Sequence, residues 1–153
     1  MNYWLMKSEP DCFSIDDLKS RPKKTEAWDG VRNYQARNFM RDGMKVGDGV
    51  FFYHSNCEIP GIVGLATIAS TAYPDPTQFI EGHDHYDPTA KPEEPRWLLV
   101  DVKYQRKLKR TISLAELKAR EADMPGFQLL MRGNRLSIIP VCAEHWNYVL
   151  SLE

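Results

Sequence analysis

The apolar segments of this chain are short, and turn residues separate most of them, which constrains the fold more than any other feature. Apolar runs of strand length predict β-strands over residues 2–6, 50–54, 61–73, 97–102 and 135–141. These strands do not alternate with long helices, as a doubly wound parallel sheet requires. We therefore predict an α+β fold, in which five or six strands form a small, mostly antiparallel β-barrel with short peripheral helices.

Capping signals predict where the short helices begin. Ser14 and Asp17 form a capping box that predicts a helix over residues 15–19, and the segment from residue 113 to 116 repeats the pattern for a helix that ends near residue 121. Asn33 is a favourable N-cap for a helix over residues 34–42. An amphipathic pattern predicts a terminal helix over residues 143–152.

Length and composition indicate one domain. The chain has 153 residues, of which 42% are hydrophobic, so it can form a single core, and we predict one domain over residues 1–153. The acid-rich segment between residues 75 and 95 has no helix or strand periodicity and is predicted to be a long surface loop.

The charge balance excludes one class of nucleic-acid binder. Lys and Arg number 20 and Asp and Glu 21, giving a net charge of −1, so the chain does not coat nucleic acid by bulk charge. A local basic face remains compatible with this balance. The three cysteines, Cys12, Cys57 and Cys142, form neither a disulfide framework nor a zinc motif, which favours a reducing cytoplasm. We expect no signal peptide and no membrane span.

The segment from residue 28 to 55 has the residue types that a pocket for a flat, polar-edged ring requires. Aromatic faces stack on a nucleobase, amides and hydroxyls bond to its edge, and arginines hold the attached phosphates. The candidate stacking rings are Trp28 and Tyr34, and the candidate edge contacts are Asn33, Gln35, Ser8 and Ser55. The candidate phosphate ligands in this segment are Arg32, Arg37 and Arg41.

Each of these residues also has a purely structural interpretation. Trp28 could be a core tryptophan, and for Trp4 and Trp97, which lie in apolar strands, the core is favoured. Asn33 could only cap its helix, while Ser8 and Ser55 could close turns. The arginines could be solvated, and the basic segment from residue 103 to 110 is interpreted as a charged strand edge that discourages aggregation.

No catalytic arrangement is evident in the sequence. His83 and His85 are spaced as a metal-binding pair, but no third ligand is fixed by spacing, so we predict no metal site. His54 lies three residues from Cys57 without a recognisable nucleophile motif. Phosphate-binding glycine loops are absent from the sequence as well. We therefore predict no catalytic residue and no cofactor.

Several motifs, in order along nearly the whole chain, resemble those of the EVE-domain family. They are YWLMKSEP at 3–10, WDGVRNYQARN at 28–38, FYHS at 52–55, AYPD at 72–75, YDP at 86–88, PRW at 95–97, VDV at 100–102 and RLS at 135–137. This resemblance implies a PUA-like fold, related to the YTH and ASCH domains. It also implies a non-enzymatic reader of nucleic acid, with modified bases as the suspected ligands.

The resemblance also implies where the base would bind. In the related YTH readers a base enters an aromatic cage beside the first strand and the helix that follows it. The matching positions here are Ser8, Trp28, Asn33, Tyr34 and Ser55, with Trp4 and Trp97 as weaker matches. Together with the residue pattern, this gives a predicted base pocket that also includes Gln35, and a phosphate-binding set that adds Lys7 to the three arginines.

Three functional hypotheses remain at this point. The first is a binding module that stacks a modified cytosine or adenine of DNA or RNA in an aromatic pocket. The second is an enzyme that processes nucleotides or nucleic acid with His54, or with a metal ion at His83 and His85. The third, which the near-neutral charge motivates, is an adaptor for a small ligand or a protein. The oligomeric state does not follow from the sequence.

Overall fold

A computed structural model describes residues 1–153. Its strands are β1 (Tyr3–Ser8), β2 (Thr25–Ala27), β3 (Gly49–His54), β4 (Gly61–Ile68), β5 (Tyr73–Pro74), β6 (Leu98–Leu99), β7 (Asp101–Ser113) and β8 (Ile138–Val141). Its α-helices are α1 (Ile15–Ser20), α2 (Tyr34–Asn38), α3 (Leu114–Ala119) and α4 (Ala143–Ser151). A π-turn follows α2 at Phe39–Gly43, and 3-10 turns occur at Pro22–Lys24, Pro76–Phe79, Glu121–Asp123 and Gln128–Leu130.

Six strands form one curled sheet that closes about half of a barrel. The strand order is β2-β7-β4-β3-β1-β8. Only β1 and β3 run parallel, with Trp4 opposite Val50, and every other pair in this sheet is antiparallel. The predicted α+β, PUA-like, mostly antiparallel architecture is confirmed. None of the helices has the length and apolar character that a membrane-spanning helix requires.

The centre of the sheet is buried on both faces because β3 and β4 are apolar almost throughout. Side chains of a strand alternate between faces, so Val50 and Phe52 of β3 pack in one cluster, whereas Phe51 and Tyr53 pack in the other. The first cluster also contains Trp4 and the helices α1 and α2. This cluster continues to Trp28, next to a cleft that opens to solvent.

The capping signals predict the starts of the helices correctly. Ser14 and Asp17 form the complete reciprocal capping box, Asn33 accepts the Ala36 amide, and Ser113 accepts the Glu116 amide. The predicted helix over residues 34–42 is wrong in one respect, because its last turn is a π-turn at Phe39–Gly43.

Three other predicted boundaries are corrected by tertiary packing. The strand predicted over 61–73 ends at Ile68, and β7 extends for 13 residues through the basic segment. This extension is possible because β7 pairs with β4 over most of its length, while Arg106 and Arg110 bond to the carboxylates of Glu153 and Glu116. The basic segment is therefore part of a strand, as its interpretation as a charged strand edge implies, but the predicted end of that strand is wrong.

The segment after β5 is the third correction. The sequence predicts a surface loop here, but the side chains of Asp75 and Gln78 are fully buried. The side-chain amide of Gln78 donates to the carbonyl oxygens of Asp75 and Trp97 and accepts the hydrogen bond of the Trp97 backbone N–H. It thus makes the hydrogen bonds that a neighbouring strand would make to this irregular backbone. A polar side chain that pairs with backbone in this way is invisible to hydrophobic periodicity.

Candidate functional site

A deep cleft lies where β1 ends beside the residues that follow β2. Its volume is about 560 Å³, and it opens to solvent. The walls come from residues 7–9 at the end of β1, the turn at residues 12 and 13, Arg21, residues 26–30 and His85. Segments that are distant in the sequence therefore converge here, which gives the cleft both apolar and charged sides.

Trp28 joins the cleft to the core. Its side chain is 8% exposed, and its ring lies edge-on to the rings of Phe52 and Phe13, with centroid distances of 5.4 Å and 6.3 Å. Its backbone N–H donates to the Val100 carbonyl at 2.9 Å. Trp28 is thus both a core residue and a cleft wall, and Phe13 extends the aromatic wall on the cleft side.

Gly30 allows His85 to form part of the cleft wall. Gly30 has a φ of +81°, which favours glycine, and a Cβ at this position would lie 2.6 Å from Nε2 of His85. The His85 ring therefore occupies the space that any other residue would fill. Nδ1 of this ring is buried and has no hydrogen-bond partner.

A buried carboxylate holds this wall in place. Asp75 accepts hydrogen bonds from the Gly30 amide at 2.8 Å, from Arg32 at 3.0 Å and from Thr77, whose amide and hydroxyl both donate. Burial alone would raise the pKa of Asp75, but the hydrogen bonds from Thr77, Gly30 and Arg32 bring it below its ordinary value. We name this group, made of Asp75, Thr77, Gly30 and Arg32, the Asp75 clamp.

The clamp uses the guanidinium that the sequence predicts to hold phosphates. Arg32 donates to the carbonyl oxygens of Val31 and His85, to the carboxylate of Asp75 and to the hydroxyl of Thr77. All of its nitrogens have partners within the protein. Arg41 is paired with its neighbour Asp42 on the exposed surface.

Tyr34, Trp97 and Arg37 lie together outside the cleft. The rings of Tyr34 and Trp97 stack at a centroid distance of 4.9 Å, and the Arg37 guanidinium lies 4.8 Å from the Tyr34 centroid. Arg37 also donates to the Arg96 carbonyl and to the Asn38 side chain. The Trp97 indole N–H donates to Asp87 at 2.8 Å. We call Tyr34, Trp97 and Arg37 the outer stack.

The other predicted site residues have mostly local partners. Asn33 caps α2, Gln35 is exposed on the same helix, and the Trp4 indole N–H donates to buried Asp48. The backbone N–H of Ser55 donates to the carbonyl of Ser8. Of the twelve residues in the predicted base and phosphate sets, the structure places Trp28, Ser8 and Lys7 in the cleft.

Most polar side chains in the cleft are already bonded within the protein. Both carboxylate oxygens of Glu26 accept hydrogen bonds, from the Ala27 amide and from Nε of Arg21. Those of Glu9 accept from Asn56 and from the Cys12 thiol. The Ser8 hydroxyl donates to the Phe13 carbonyl. These groups therefore hold the cleft walls in place and have few hydrogen-bonding positions left for a ligand.

Asp29 and Lys7 differ from these bonded side chains. Neither side chain has a hydrogen-bond or salt-bridge partner in the protein, although both line the cleft. Desolvation, followed by the charge of Asp75, raises the pKa of the Asp29 carboxyl, while the nearby His83 and His85 oppose this increase. Desolvation lowers the pKa of the Lys7 ammonium. The cleft thus presents one carboxylate and one ammonium group that have no hydrogen-bond or salt-bridge partner in the protein.

The remaining candidate residues for catalysis have structural partners. Nε2 of His54 accepts the Ile15 amide at 3.1 Å, and desolvation lowers the pKa of its imidazole. Nδ1 of His83 accepts the His85 amide at 3.0 Å. No three His, Cys, Asp or Glu side chains are placed to share a metal ion, and the three cysteines are free thiols.

Four residues line the cleft although the sequence does not predict them as site residues: Phe13, Glu26, Asp29 and His85. Asp29 lies between two residues of the WDG motif, so the motif itself is a signal, but a charged residue before a glycine is equally typical of a turn. His85 stands out in the sequence only as a metal-ligand candidate. The position of both depends on the Asp75 clamp, which joins residues 45 positions apart and leaves no local pattern.

Comparison with known proteins identifies relatives that match nearly all of this chain. The EVE domain model matches residues 2–152. Thymocyte nuclear protein 1 of Mus musculus is 51% identical over 168 aligned positions, which cover 99% of this chain and 74% of the mouse protein. The corresponding Danio rerio protein is 50% identical, with coverage of 98% of this chain and 71% of the fish protein.

Solved structures agree with these sequence matches. A crystal structure of human THYN1 protein in complex with 5-methylcytosine-containing DNA superposes with a TM-score of 0.95 at 49% identity, covering 99% of this chain and 97% of the human chain. A crystal structure from Pseudomonas syringae superposes with a TM-score of 0.92 at 46% identity, covering 98% of each chain. The chain therefore belongs to the EVE-domain family.

Proposed function

We propose that this protein is a non-enzymatic reader that binds a modified cytosine of DNA in the cleft beside Trp28. The observation that carries the proposal is a solvent-open cleft of about 560 Å³ with an aromatic wall, in a chain that superposes along its length on a relative in complex with 5-methylcytosine-containing DNA. This volume lies within the range of roughly 300–1,000 Å³ that small-ligand sites have.

A base can reach such a cleft only when it leaves the stack of the duplex. Extruding one nucleotide costs a few kcal/mol, which stacking and edge contacts in the pocket must offset. Trp28 and Phe13 supply the aromatic surface, and stacking of one base on such a surface contributes about 1–3 kcal/mol. A methyl group that reaches the same apolar wall adds about 0.8 kcal/mol, so selectivity for methylation requires a close fit.

The phosphates of a bound nucleotide require cationic side chains that are not already paired within the protein. Lys7 lies in the cleft without a partner, and we assign it to the phosphate of the bound nucleotide. At the rim, Arg21 bonds to Glu26 only through Nε, and exposed Lys23 and Lys24 follow it. Such a small basic rim supports binding at one nucleotide but not along a long stretch of backbone, in agreement with the net charge of −1.

The other predicted pocket residues are assigned supporting roles in this proposal. Asn33 fixes the start of α2, Trp97 and Tyr34 cover its outer side, and Ser8 holds the Phe13 turn against the cleft. Ser55 ties β3 to the end of β1. We assign no catalytic step to any of these residues. The cytoplasmic location stays a prediction.

Titration of oligonucleotides tests the proposal. Two duplexes that differ only in one 5-methylcytosine are titrated with the wild type, with Trp28→Ala and with Cys12→Tyr, which places a ring in the cleft from an exposed turn. We expect the wild type to prefer the methylated duplex and both variants to lose about 10- to 100-fold in affinity. Trp28→Ala removes the stacking surface, and the added ring of Cys12→Tyr excludes the base from that surface.

The second variant is needed because Trp28 also packs in the core. Circular dichroism and thermal melting establish that each variant is folded, and Tyr34→Ala in the outer stack is the matched aromatic control. Equal affinity of the wild type for both duplexes, or unchanged affinity in folded Cys12→Tyr, would contradict the proposal.

A further inference from the structure

We propose that Asp29 makes the cleft select a pyrimidine with an amino group at C4 over one with an oxygen there, so that cytosine bases are bound and thymine is rejected. This inference rests on the proposed function and assigns its base specificity to one residue. It follows from which hydrogen-bonding groups in the cleft are free and which are not.

Asp29 is the only carboxylate in the cleft that has both oxygens free. The neighbouring acids, Glu9 and Glu26, each accept hydrogen bonds at both oxygens from within the protein. The Asp29 carboxylate accepts none, and its side chain lines the open cleft next to the aromatic wall of Trp28. A base that stacks on this wall therefore meets one unpaired carboxylate.

The backbone on both sides of Asp29 is fixed, so the point from which its carboxylate extends is defined. The Asp29 amide donates to the Ala27 carbonyl at 3.0 Å, and the next amide, of Gly30, donates to buried Asp75 at 2.8 Å. The preceding residue, Trp28, is held by the Val100 carbonyl. Three successive amides are thus bonded, so the backbone places the Asp29 side chain at a fixed point of the cleft wall, and fixing the backbone reduces the ordering cost of binding.

The two pyrimidines differ in what they present to such an acceptor. Cytosine has an N4 amino donor, whereas thymine has an O4 acceptor at the same position. An ionised carboxylate only accepts hydrogen bonds, so it pairs with the amino group but faces O4 as a second acceptor, which is unfavourable. 5-Methylcytosine and thymine both carry the C5 methyl group, so stacking and methyl contacts do not distinguish them.

The test compares these two bases in one context. Duplexes carry 5-methylcytosine or thymine opposite an abasic site, so that base pairing does not differ, and binding is measured at about pH 8, where an aspartate is ionised. For the wild type we expect affinity for 5-methylcytosine to exceed that for thymine by about 10- to 100-fold, the range for one good edge contact.

Two substitutions isolate the role of Asp29. Asp29→Asn is isosteric, and its amide can rotate to donate to O4, so we expect the ratio of the two affinities to fall to within about 3-fold. Glu26→Gln is the control, because it alters a nearby cleft carboxylate whose oxygens are already bonded within the protein. We expect the wild-type ratio to persist in this variant even if all affinities change.

The outcomes separate this inference from the proposed function. A wild type that prefers 5-methylcytosine to cytosine but binds thymine equally well would overturn the role of Asp29 and leave the reader intact. An unchanged ratio in Asp29→Asn would do the same. Failure of the wild type to bind any of the duplexes would overturn the proposed function, and this inference with it.

Discussion

The cleft and the outer stack each take an aromatic residue from the segment 28–37, yet they differ in what they leave available to a ligand. In the cleft, Trp28 has Asp29 beside it with both carboxylate oxygens free. In the outer stack, Tyr34 lies on Trp97, whose indole N–H is bonded, and the Arg37 guanidinium is bonded as well. Aromatic and polar residues together do not define a binding site, because the hydrogen-bonding groups that remain free decide what can bind.

The Asp75 clamp separates these two regions. It fixes Gly30 and Arg32, so the chain turns from the cleft to the outer surface between Trp28 and Tyr34. Asp75 is fully buried, and it has no free lone pair directed to solvent. The clamp therefore supports the site without contacting a ligand, and its removal is the strongest way to test the difference between the regions.

The largest effect is expected for Asp75→Ala. This substitution leaves Arg32, Thr77 and the Gly30 amide without their acceptor, and removal of one partner of a buried charge pair costs about 3 kcal/mol of unfolding free energy. Denaturant titration measures the loss, and Asp84→Ala in the exposed loop is the control. A loss below about 1 kcal/mol would show that the clamp does not hold the wall.

The same residue predicts a pH dependence. Because the pKa of Asp75 in the folded protein is below the ordinary value of an aspartate, its contribution to stability is full above that ordinary value and is lost as the pH falls through the folded pKa. We expect wild type and Asp75→Ala to converge in stability in this acidic range. Parallel curves of unfolding free energy against pH would contradict this.

The next largest loss of stability is expected when the contact between Gly30 and His85 is disturbed. Gly30→Ala places a methyl group 2.6 Å from Nε2 of the His85 ring at a left-handed φ, so we expect a loss of about 2 kcal/mol of unfolding free energy. In the double variant Gly30→Ala/His85→Ala the clash is removed, and about half of the loss should be recovered. Additive losses in this double-mutant cycle would mean that the two residues do not interact.

A smaller effect is expected for the basic rim. Replacement of Lys23 and Lys24 by alanine should weaken binding of methylated and unmethylated DNA alike. It should also reduce the slope of log affinity against log salt by about 1 for each phosphate that is no longer neutralised. Lys109→Ala/Lys118→Ala, which removes two exposed lysines from β7 and α3, is the matched control. Binding with no salt dependence in the wild type would favour the adaptor hypothesis instead.

The smallest effect is expected for the outer stack. Tyr34→Ala removes a ring that is half exposed and that does not line the cleft. We expect its affinity for methylated DNA to change by less than about 3-fold, against about 10- to 100-fold for the cleft variants. A loss of equal size in Tyr34→Ala would remove the distinction between the two regions.

Local signals make much of the fold predictable. Apolar runs place β1 and β3, and the hydroxyl and amide caps at Ser14 and Asn33 place two helices, because each signal lies within a few residues. The extent of β7 is not predictable, since its basic side chains are neutralised by acids far along the chain, such as Glu153.

The site is only partly predictable for a related reason. Trp28 follows from residue type and family resemblance, but the role of Arg32 depends on Asp75, 43 positions away, and nothing local distinguishes a bonded guanidinium from a free one. Asp29 is not predicted from the sequence, because it is available to a ligand only through having no hydrogen-bond partner in the protein. Such a property emerges only when the partners of all neighbouring groups are known.

The central claim is that the cleft holds the base. The most direct test is to follow backbone amide chemical shifts during titration with an oligonucleotide that contains one 5-methylcytosine. We predict the largest changes at residues 7–9 and 28–30, which form the cleft walls, and much smaller changes at residues 34–37. Saturable changes that centre on Tyr34 and Trp97, with residues 28–30 unaffected, would contradict the account.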